Sequence, residues 1–290
     1  MTEGVHMSFN DKIKAKKIAS KTLIRIILIL VLLIEAYPFL WNIMNSLKTN
    51  TEFMTDPMAI PRGLAWDNYA RAYVKSELGD YIGNSFLVTI LTLAITLFCA
   101  VPCSYALVRY QFFGGQLILG VFMTAMFISG NYIIVPLFLQ MKSLHMLNSV
   151  PGLSFVYASY QIPMAVFLLS GYMSGIPRDY EEAANLDGCG PFAVLRHVII
   201  PLSRPGIATI SLLTVMTAFN EYPIALVALS TPEVRTLPVG LANLFQIQQY
   251  ATDWGAMFAG LVIAMVPTVI LFLICEKQLL KGITVGGIKG

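Results

Sequence analysis

The chain has 290 residues, of which 57% are hydrophobic and only 12% are charged. Soluble domains carry about one-quarter charged residues, so this composition excludes that class and implies an integral membrane protein. The formal charge of +3 is too small and too evenly spread to suggest nucleic acid as a partner.

Residues 1–22 form a basic segment containing Lys12, Lys14, Lys16, Lys17 and Lys21. Phe9, Ile13 and Ile18 fall roughly along one helical face, so an interfacial helix competes with a solvated tail. Six apolar windows follow, near 23–47, 81–105, 116–139, 151–172, 206–228 and 254–276. Each reaches the about 18 residues that a membrane-crossing helix needs. Lipid offers no partner for backbone N–H and C=O groups, and the alternating pattern of a membrane barrel is absent, so helices are predicted throughout. The first window lacks a convincing small-residue cleavage site and reads as a retained anchor rather than a removed signal peptide. The fold class expected is all-α, with six transmembrane helices.

Lys and Arg positions set the orientation. With residues 1–22 in the cytosol, thirteen basic residues fall inside, among them Arg25, Arg109, Arg178, Arg196, Arg204, Lys277, Lys281 and Lys289. Six fall outside: Lys48, Arg62, Arg71, Lys75, Lys142 and Arg235. Both termini are therefore expected in the cytosol. The organisation predicted is a six-span domain over 23–276 with external loops 48–80 and 229–253, a cytosolic loop 173–205 and a cytosolic tail 277–290.

Several chemistries are excluded. Cys99, Cys103 and Cys275 lie in the apolar windows and Cys189 in the cytosolic loop, so no disulfide is expected. Cys99 and Cys103 are one helical turn apart, yet two thiols do not complete a zinc site. His6, His145 and His197 are scattered, and no catalytic or metal constellation stands out. The dipeptide Gly-Lys never occurs, which removes the phosphate loop of nucleotide-hydrolysing enzymes. Gly188, Gly190 and Ala193 spell G-x-G-x-x-A, but they follow an acidic helix and no parallel sheet is available to build a dinucleotide site. No cofactor is expected on this chain.

Each predicted span contains a proline: Pro38, Pro102, Pro136, Pro163, Pro223 and Pro267. Proline removes a helix hydrogen bond and bends the axis, which suits helices that enclose a moving path, although proline is common in membrane helices generally. Polar groups at depth are the pathway candidates. Glu35 is near the middle of the first span, and Asn220 with Glu221 in the outer half of the fifth. Asn131, Tyr132, Tyr157, Tyr160 and Gln161 add hydrogen-bonding groups and aromatic faces suited to sugars. Ionisable residues at such depth tend to face protein or water; hydrogen bonding between helices is the competing explanation.

The segment Met173–Pro205 is the most specific part of the chain. Pro177 stops the fourth span's extension, and Asp179 is placed to cap a helix whose first turn is acidic, with Glu181 and Glu182. Ala183, Ala184 and Leu186 give that helix close-approach surfaces. Gly188 supplies a left-handed residue to end it. Pro191 suits the first position of a second helix through Phe192, Leu195, Val198 and Ile199, which Pro201 and Pro205 are expected to terminate. The result is a helix–turn–helix with one apolar side and a carboxylate at its tip.

The run Glu182-Ala183-Ala184-Asn185-Leu186-Asp187-Gly188, followed by Ile200-Pro201, resembles the coupling loop of membrane subunits of ATP-driven importers. Its hallmark is E-A-A-x-x-D-G. Five fixed positions match by chance on the order of once in a million starts; an ordinary interhelical loop is the alternative. From the first span to the last residue, the chain is similar to the smaller permease subunit of maltose-type carbohydrate importers, the binding-protein-dependent inner-membrane component family. Asn68-Tyr69, Asn84-Ser85-Phe86, Tyr105-Ala106-Leu107-Val108-Arg109-Tyr110, Asn220-Glu221-Tyr222-Pro223 and Thr252-Asp253-Trp254-Gly255 resemble that family's patterns, as does the ending Gly282–Gly290. Phe113 departs from them, standing where the family often has proline.

The resemblance implies a multi-pass subunit of the bacterial inner membrane that imports a sugar or oligosaccharide and is not itself an enzyme. Its partners would be a second homologous permease subunit, paired cytosolic ATPase subunits carrying ATP and magnesium, and an external solute-binding protein. Glu182 would meet a basic residue of the ATPase, with Ala183, Ala184, Asp187, Gly188 and Pro201 shaping the docking hairpin. Gly286, Gly287 and Lys289 of the tail would insert near the ATPase dimer interface, and the loop 229–253 would reach the binding protein. In the maltose family the other membrane subunit holds the sugar, so this chain would line the cavity. The alternative is a secondary transporter driven by an ion gradient, with Glu35 and Glu221 as coupling carboxylates.

Overall fold

Backbone that crosses hydrocarbon must satisfy its own polar groups, and this chain does so with helices. A computed structural model describes residues 9–75, 78–128, 130–247 and 253–286, and no strand occurs among them. The chain divides into two compact units: residues up to Tyr69 with Asp253–Val262, and Ala70–Thr252 with Ile263 onward.

In the first unit, α1 (Phe9–Ser46) runs for 38 residues and includes Pro38. Its apolar part, Ser20–Ser46, is long enough to cross a membrane, and none of its most apolar window is buried by the rest of the chain. The last carbonyls of a helix need outside donors. Asn68 provides them, its buried amide donating to the Ser46 carbonyl at 2.7 Å and the Lys48 carbonyl at 2.8 Å. Tyr69 adds a hydroxyl contact to Ser46 Oγ at 2.7 Å. The Asn68-Tyr69 pair thus closes the end of α1. Lys48 is buried, and its ammonium donates to the carbonyls of Asp56 at 3.2 Å and Pro57 at 2.9 Å.

The short helix α2 (Asn50–Thr55) begins with a capping box at Thr49 and Glu52. Phe53 on that helix packs against Trp254 and Phe258 with ring centroids 5.1 and 5.0 Å apart. Trp41 of α1 meets Phe258 edge-on at 5.3 Å. This aromatic cluster fastens the start of α12 (Trp254–Gly286) within the unit. The helix α3 (Asp67–Lys75) leads out of it.

The second unit is built around α4 (Leu78–Arg109) and α7 (Val150–Ser174). Without a hydrophobic drive between helices in lipid, close packing and interhelical hydrogen bonds hold such pairs. Small buried residues such as Ala100, Ser104, Ala158 and Ala165 let these helices approach. Ser154 Oγ donates to the Val88 carbonyl at 3.3 Å, and Ser104 Oγ to the Val166 carbonyl at 3.3 Å.

Two predicted spans are broken. The window 116–139 is divided between α5 (Gly115–Ala125) and α6 (Ile134–Ser143), with a tight turn at Gly130–Ile133 between them. Gly130 fits there because a Cβ would lie 3.3 Å from Ile224 and 3.4 Å from Tyr160. The fifth window becomes α10 (Arg204–Asn220) and α11 (Pro223–Ala228). Pro223 has no N–H to give and disfavours helical backbone in the residue before it, so it starts a new helix. Of the six prolines, Pro38, Pro102, Pro163 and Pro267 lie inside helices, whereas Pro136 sits in the first turn of α6 and Pro223 at the start of α11. The last two begin helices instead of kinking them.

Among the described residues, three helices are long and apolar enough to cross a membrane, or four if a bent pair counts as one. The three are the apolar part of α1, α4 and α7. The bent pair is α9 (Pro191–Leu202) with α10, at an angle of 77°. The chain is an all-helical membrane protein.

Candidate functional site

The hairpin between α7 and α10 is built by local rules. Pro177 leads into α8 (Asp179–Leu186), whose first turn holds Asp179, Glu181 and Glu182 near the positive end of the helix dipole. Asp179 does not cap it. Arg178 already has helical angles, and its carbonyl accepts the N–H groups of Glu181 at 2.9 Å and Glu182 at 3.0 Å. That shifts Asp179 one position into the helix, past the point where its side chain would reach the free N–H groups.

The other end of α8 explains why the motif reads A-x-x-D-G. Asp187 is the cap residue, and Gly188 adopts φ +84°. Gly188 N–H bonds the Asn185 carbonyl at 3.0 Å and Cys189 N–H bonds the Ala184 carbonyl at 3.0 Å. These two bonds form the Schellman closure, which needs a left-handed residue and is accompanied by an apolar contact across it. Ala184 and Cys189 supply that contact by packing on the same buried cluster.

Pro191 opens α9 as expected. Pro201 does not end it. The turn Leu195–Ile199 widens instead, so that Ile200 N–H bonds the Leu195 carbonyl five residues back. A normal turn would drive the Pro201 ring into the carbonyl four residues earlier, and the wider turn relieves this. The helix ends at Leu202, and Pro205 lies at the start of α10. Val194, Leu195 and Ile199 are buried against α4 and α7 residues such as Tyr105, Val166 and Met173.

The outer face of the hairpin is uncovered. Glu182, Ala183 and Asp187 are exposed, as are Tyr180, Leu186 (90%) and Phe192 (75%). Large exposed apolar side chains thus share the hairpin with the Glu182 carboxylate. The inner face holds a cluster that the sequence analysis did not single out. Glu181 forms an ion pair with Arg109, both side chains being nearly buried. Tyr105 donates its hydroxyl to Glu181 Oε2 at 3.3 Å, and Arg109 Nη2 donates to the Ile176 carbonyl at 2.8 Å. The available signal was the position of Arg109 at the end of an apolar window facing an acidic pair.

The pathway candidates separate. Glu35 is exposed on α1 and belongs to the first unit. In the second unit, Tyr157 and Glu221 are joined directly by a hydrogen bond from the tyrosine hydroxyl. Glu221 Oε1 also accepts Ile224 N–H at 2.8 Å and its Oε2 accepts Ala225 N–H at 3.0 Å. This carboxylate caps α11, and three of its acceptor sites are used by the fold. Tyr160 packs beside it against the same cluster. Gln161 donates to Thr217 Oγ1 at 2.7 Å, and Asn220 donates to the Met216 carbonyl at 2.8 Å while accepting from Thr268 at 3.4 Å. Tyr132 is 88% exposed, and Asn131 lies in the Gly130–Ile133 turn. Gly286 is the last described residue of α12, and Gly287 and Lys289 lie outside the described residues.

Residues 17–281 match the family described as the binding-protein-dependent transport system inner membrane component. The chain belongs to this family. It is therefore the inner-membrane permease component of an ATP-driven, binding-protein-dependent importer, not a catalytic subunit. Such a complex requires an ATPase and a solute-binding protein, and membership displaces the ion-gradient alternative. The sulfoquinovosyl glycerol transport system permease protein SmoH of Agrobacterium fabrum is 35% identical over 88% of this chain and 89% of its own length. A probable ABC transporter permease, YurM of Bacillus subtilis, is 33% identical over 98% of this permease and 94% of its own length. The trehalose/maltose permease MalG of Thermococcus litoralis is 31% identical over 95% and 99% respectively. In fold, the permease superposes with a TM-score of 0.78 on a chain from the crystal structure of a bacterial ABC transporter involved in import of the acidic polysaccharide alginate. That match covers 94% of this chain and 99% of the other at 24% identity.

Proposed function

We propose that this permease imports a carbohydrate, forming half of the translocation path with a second homologous permease and resting on paired cytosolic ATPase subunits that bind ATP and magnesium. Its relatives named for sulfoquinovosyl glycerol, diacetylchitobiose, trehalose and maltose transport all handle sugars. In this reading the chain crosses the membrane six times, with both termini and the hairpin 173–205 in the cytosol. The loops 48–80 and 229–253 then face the binding protein.

The observation that carries the reading is the uncovered face of the hairpin, where Glu182 and Leu186, one turn apart on α8, are exposed, as is Phe192 on α9. An exposed carboxylate on a hairpin with exposed apolar side chains suits a partner cleft that supplies a basic group. ATP-driven closure of the ATPases pushes this hairpin and turns the helices from inward-open to outward-open. The binding protein delivers the sugar to the outward state, and hydrolysis resets it. Tyr132, Tyr160, Gln161 and Asn220 line the path, and the ending with Gly287 and Lys289 threads toward the ATPase interface.

Glu182→Lys tests the reading. It should abolish uptake and reduce ATPase co-purification at least tenfold while leaving membrane insertion unchanged. Normal uptake in this variant would overturn the proposed coupling.

A further inference from the structure

Two adjacent acids on α8 point to different sides of the helix: Glu181 is paired with Arg109 and Glu182 is exposed. Neighbouring helix positions are about 100° apart, so Glu181 turns inward when Glu182 turns out. The inward position is unusual for α8, because no residue of that helix is fully buried. Val194, Leu195 and Ile199 root α9 in the apolar cluster, whereas α8 has Ala184 and the Glu181 carboxylate. Its link to α9 is the Gly188 turn, a single left-handed residue. The polar attachment of α8 to α4 thus runs through one charged cluster, with Ala184 as the apolar contact beside it.

We infer that Arg109, Glu181 and Tyr105 form a latch that makes α8 move as one body with α4. The inference rests on the coupling role proposed for the hairpin. Arg109 is the last residue of α4, and Tyr105 lies one turn earlier on the same face. Their guanidinium and hydroxyl converge on Glu181, and Arg109 also holds the Ile176 carbonyl where the chain leaves α7. A cation at the C-terminal end of α4 and an anion in the first turn of α8 each complement their own helix dipole. Arg109 therefore ties the approach to the hairpin and the first turn of α8 to a single point. A push received at Glu182 then reaches α4 through the neighbouring residue; without the tie it would swing α8 about Gly188. Arg109, Glu181 and Tyr105 are positioning residues, acting through the helix that carries Glu182.

The test uses the assembled transporter in lipid nanodiscs or liposomes. Glu181→Gln keeps the shape but removes the charge. It should speed amide exchange across 179–186 at least tenfold, leave 194–199 unchanged, and lower solute uptake per ATP hydrolysed at least fivefold. ATPase co-purification should stay near the wild-type ratio, because Glu182 is intact. Tyr105→Phe should give a change in the same direction of about twofold, and the reciprocal exchange Arg109→Glu with Glu181→Arg should recover only part of the coupling, because the ion pair re-forms while the Ile176 carbonyl loses its donor and both swapped charges oppose their helix dipoles. Wild-type exchange across 179–186 in Glu181→Gln would overturn the latch, as would loss of the ATPase as complete as that expected for Glu182→Lys. Failure of the coupling reading looks different, since an unmodified chain would then retain no ATPase while amide exchange still reported the latch. If the exchanged pair does not accumulate, Glu181→Gln and Tyr105→Phe decide the matter alone.

Discussion

Carboxylates next to each other in sequence or alike in depth do different work here, and their hydrogen-bond partners decide which. Glu221 accepts the Tyr157 hydroxyl and two backbone N–H groups at the start of α11. Removing the acceptor strands buried donors, at about 1–3 kcal/mol for each group left unpaired. Glu221→Ala should therefore lower the thermal unfolding midpoint of the purified complex by several degrees, whereas Asn220→Ala, which loses an exposed helix-end bond, should shift it little. Equal effects from the two substitutions would argue against the capping role. The sequence made Glu221 visible as an acid at depth, which pointed toward the pathway. Pro223 two residues later is also a helix-start signal, and reading the acid against it would have pointed to the role the structure gives it. Glu181 was visible only as part of an acidic first turn. Its partner lies on another helix, at Arg109, and such pairing cannot be read from spacing within one segment.

Elements were legible where a local rule governs them. Gly188 and Pro191 punctuate the hairpin as the sequence indicates, because positive φ and a missing N–H are properties of single residues. The broken windows were not legible. Apolar content measures the cost of insertion and is blind to whether the helix continues, so 116–139 and 206–228 looked like unbroken spans. The Glu52 capping box at α2 gives a pH test at this scale. The Thr49 backbone and side chain hold the Glu52 carboxyl below its ordinary value of 4.5, with smaller help from Arg62. A depressed folded value means that the stabilisation is present above 4.5 and disappears as pH falls through the lowered value. Amide protection across 49–56 should hold from neutral pH down to that range and fall below it. Glu52→Gln should lose part of that protection at neutral pH and flatten its pH dependence. A wild-type profile in that variant would remove Glu52 from the account.

Across the molecule, helices differ in how much of themselves the chain covers. The most apolar window of α7 is 56% buried, that of α4 is 33% buried, and that of α1 is not buried at all. A helix such as α7 is placed largely by packing against its own chain. The chain also lacks a Gly-Lys dipeptide, and with it the loop that would cradle nucleotide phosphates. As the permease component of a binding-protein-dependent importer, the chain takes its energy from a separate ATPase. Reconstituted alone in liposomes, the purified chain should not concentrate any sugar, whether or not ATP or a proton gradient is supplied. Reconstituted with its partner permease, ATPase and binding protein, it should accumulate solute only with ATP, and dissipating the ion gradient should leave the initial rate within about twofold. Accumulation by the single chain, or uptake that survives ATP depletion and collapses with the gradient, would place the driving force in this chain after all, at Glu35 or Glu221. Glu221 is bound into a helix cap, so a proton-coupled role there would have to break that cap in every cycle.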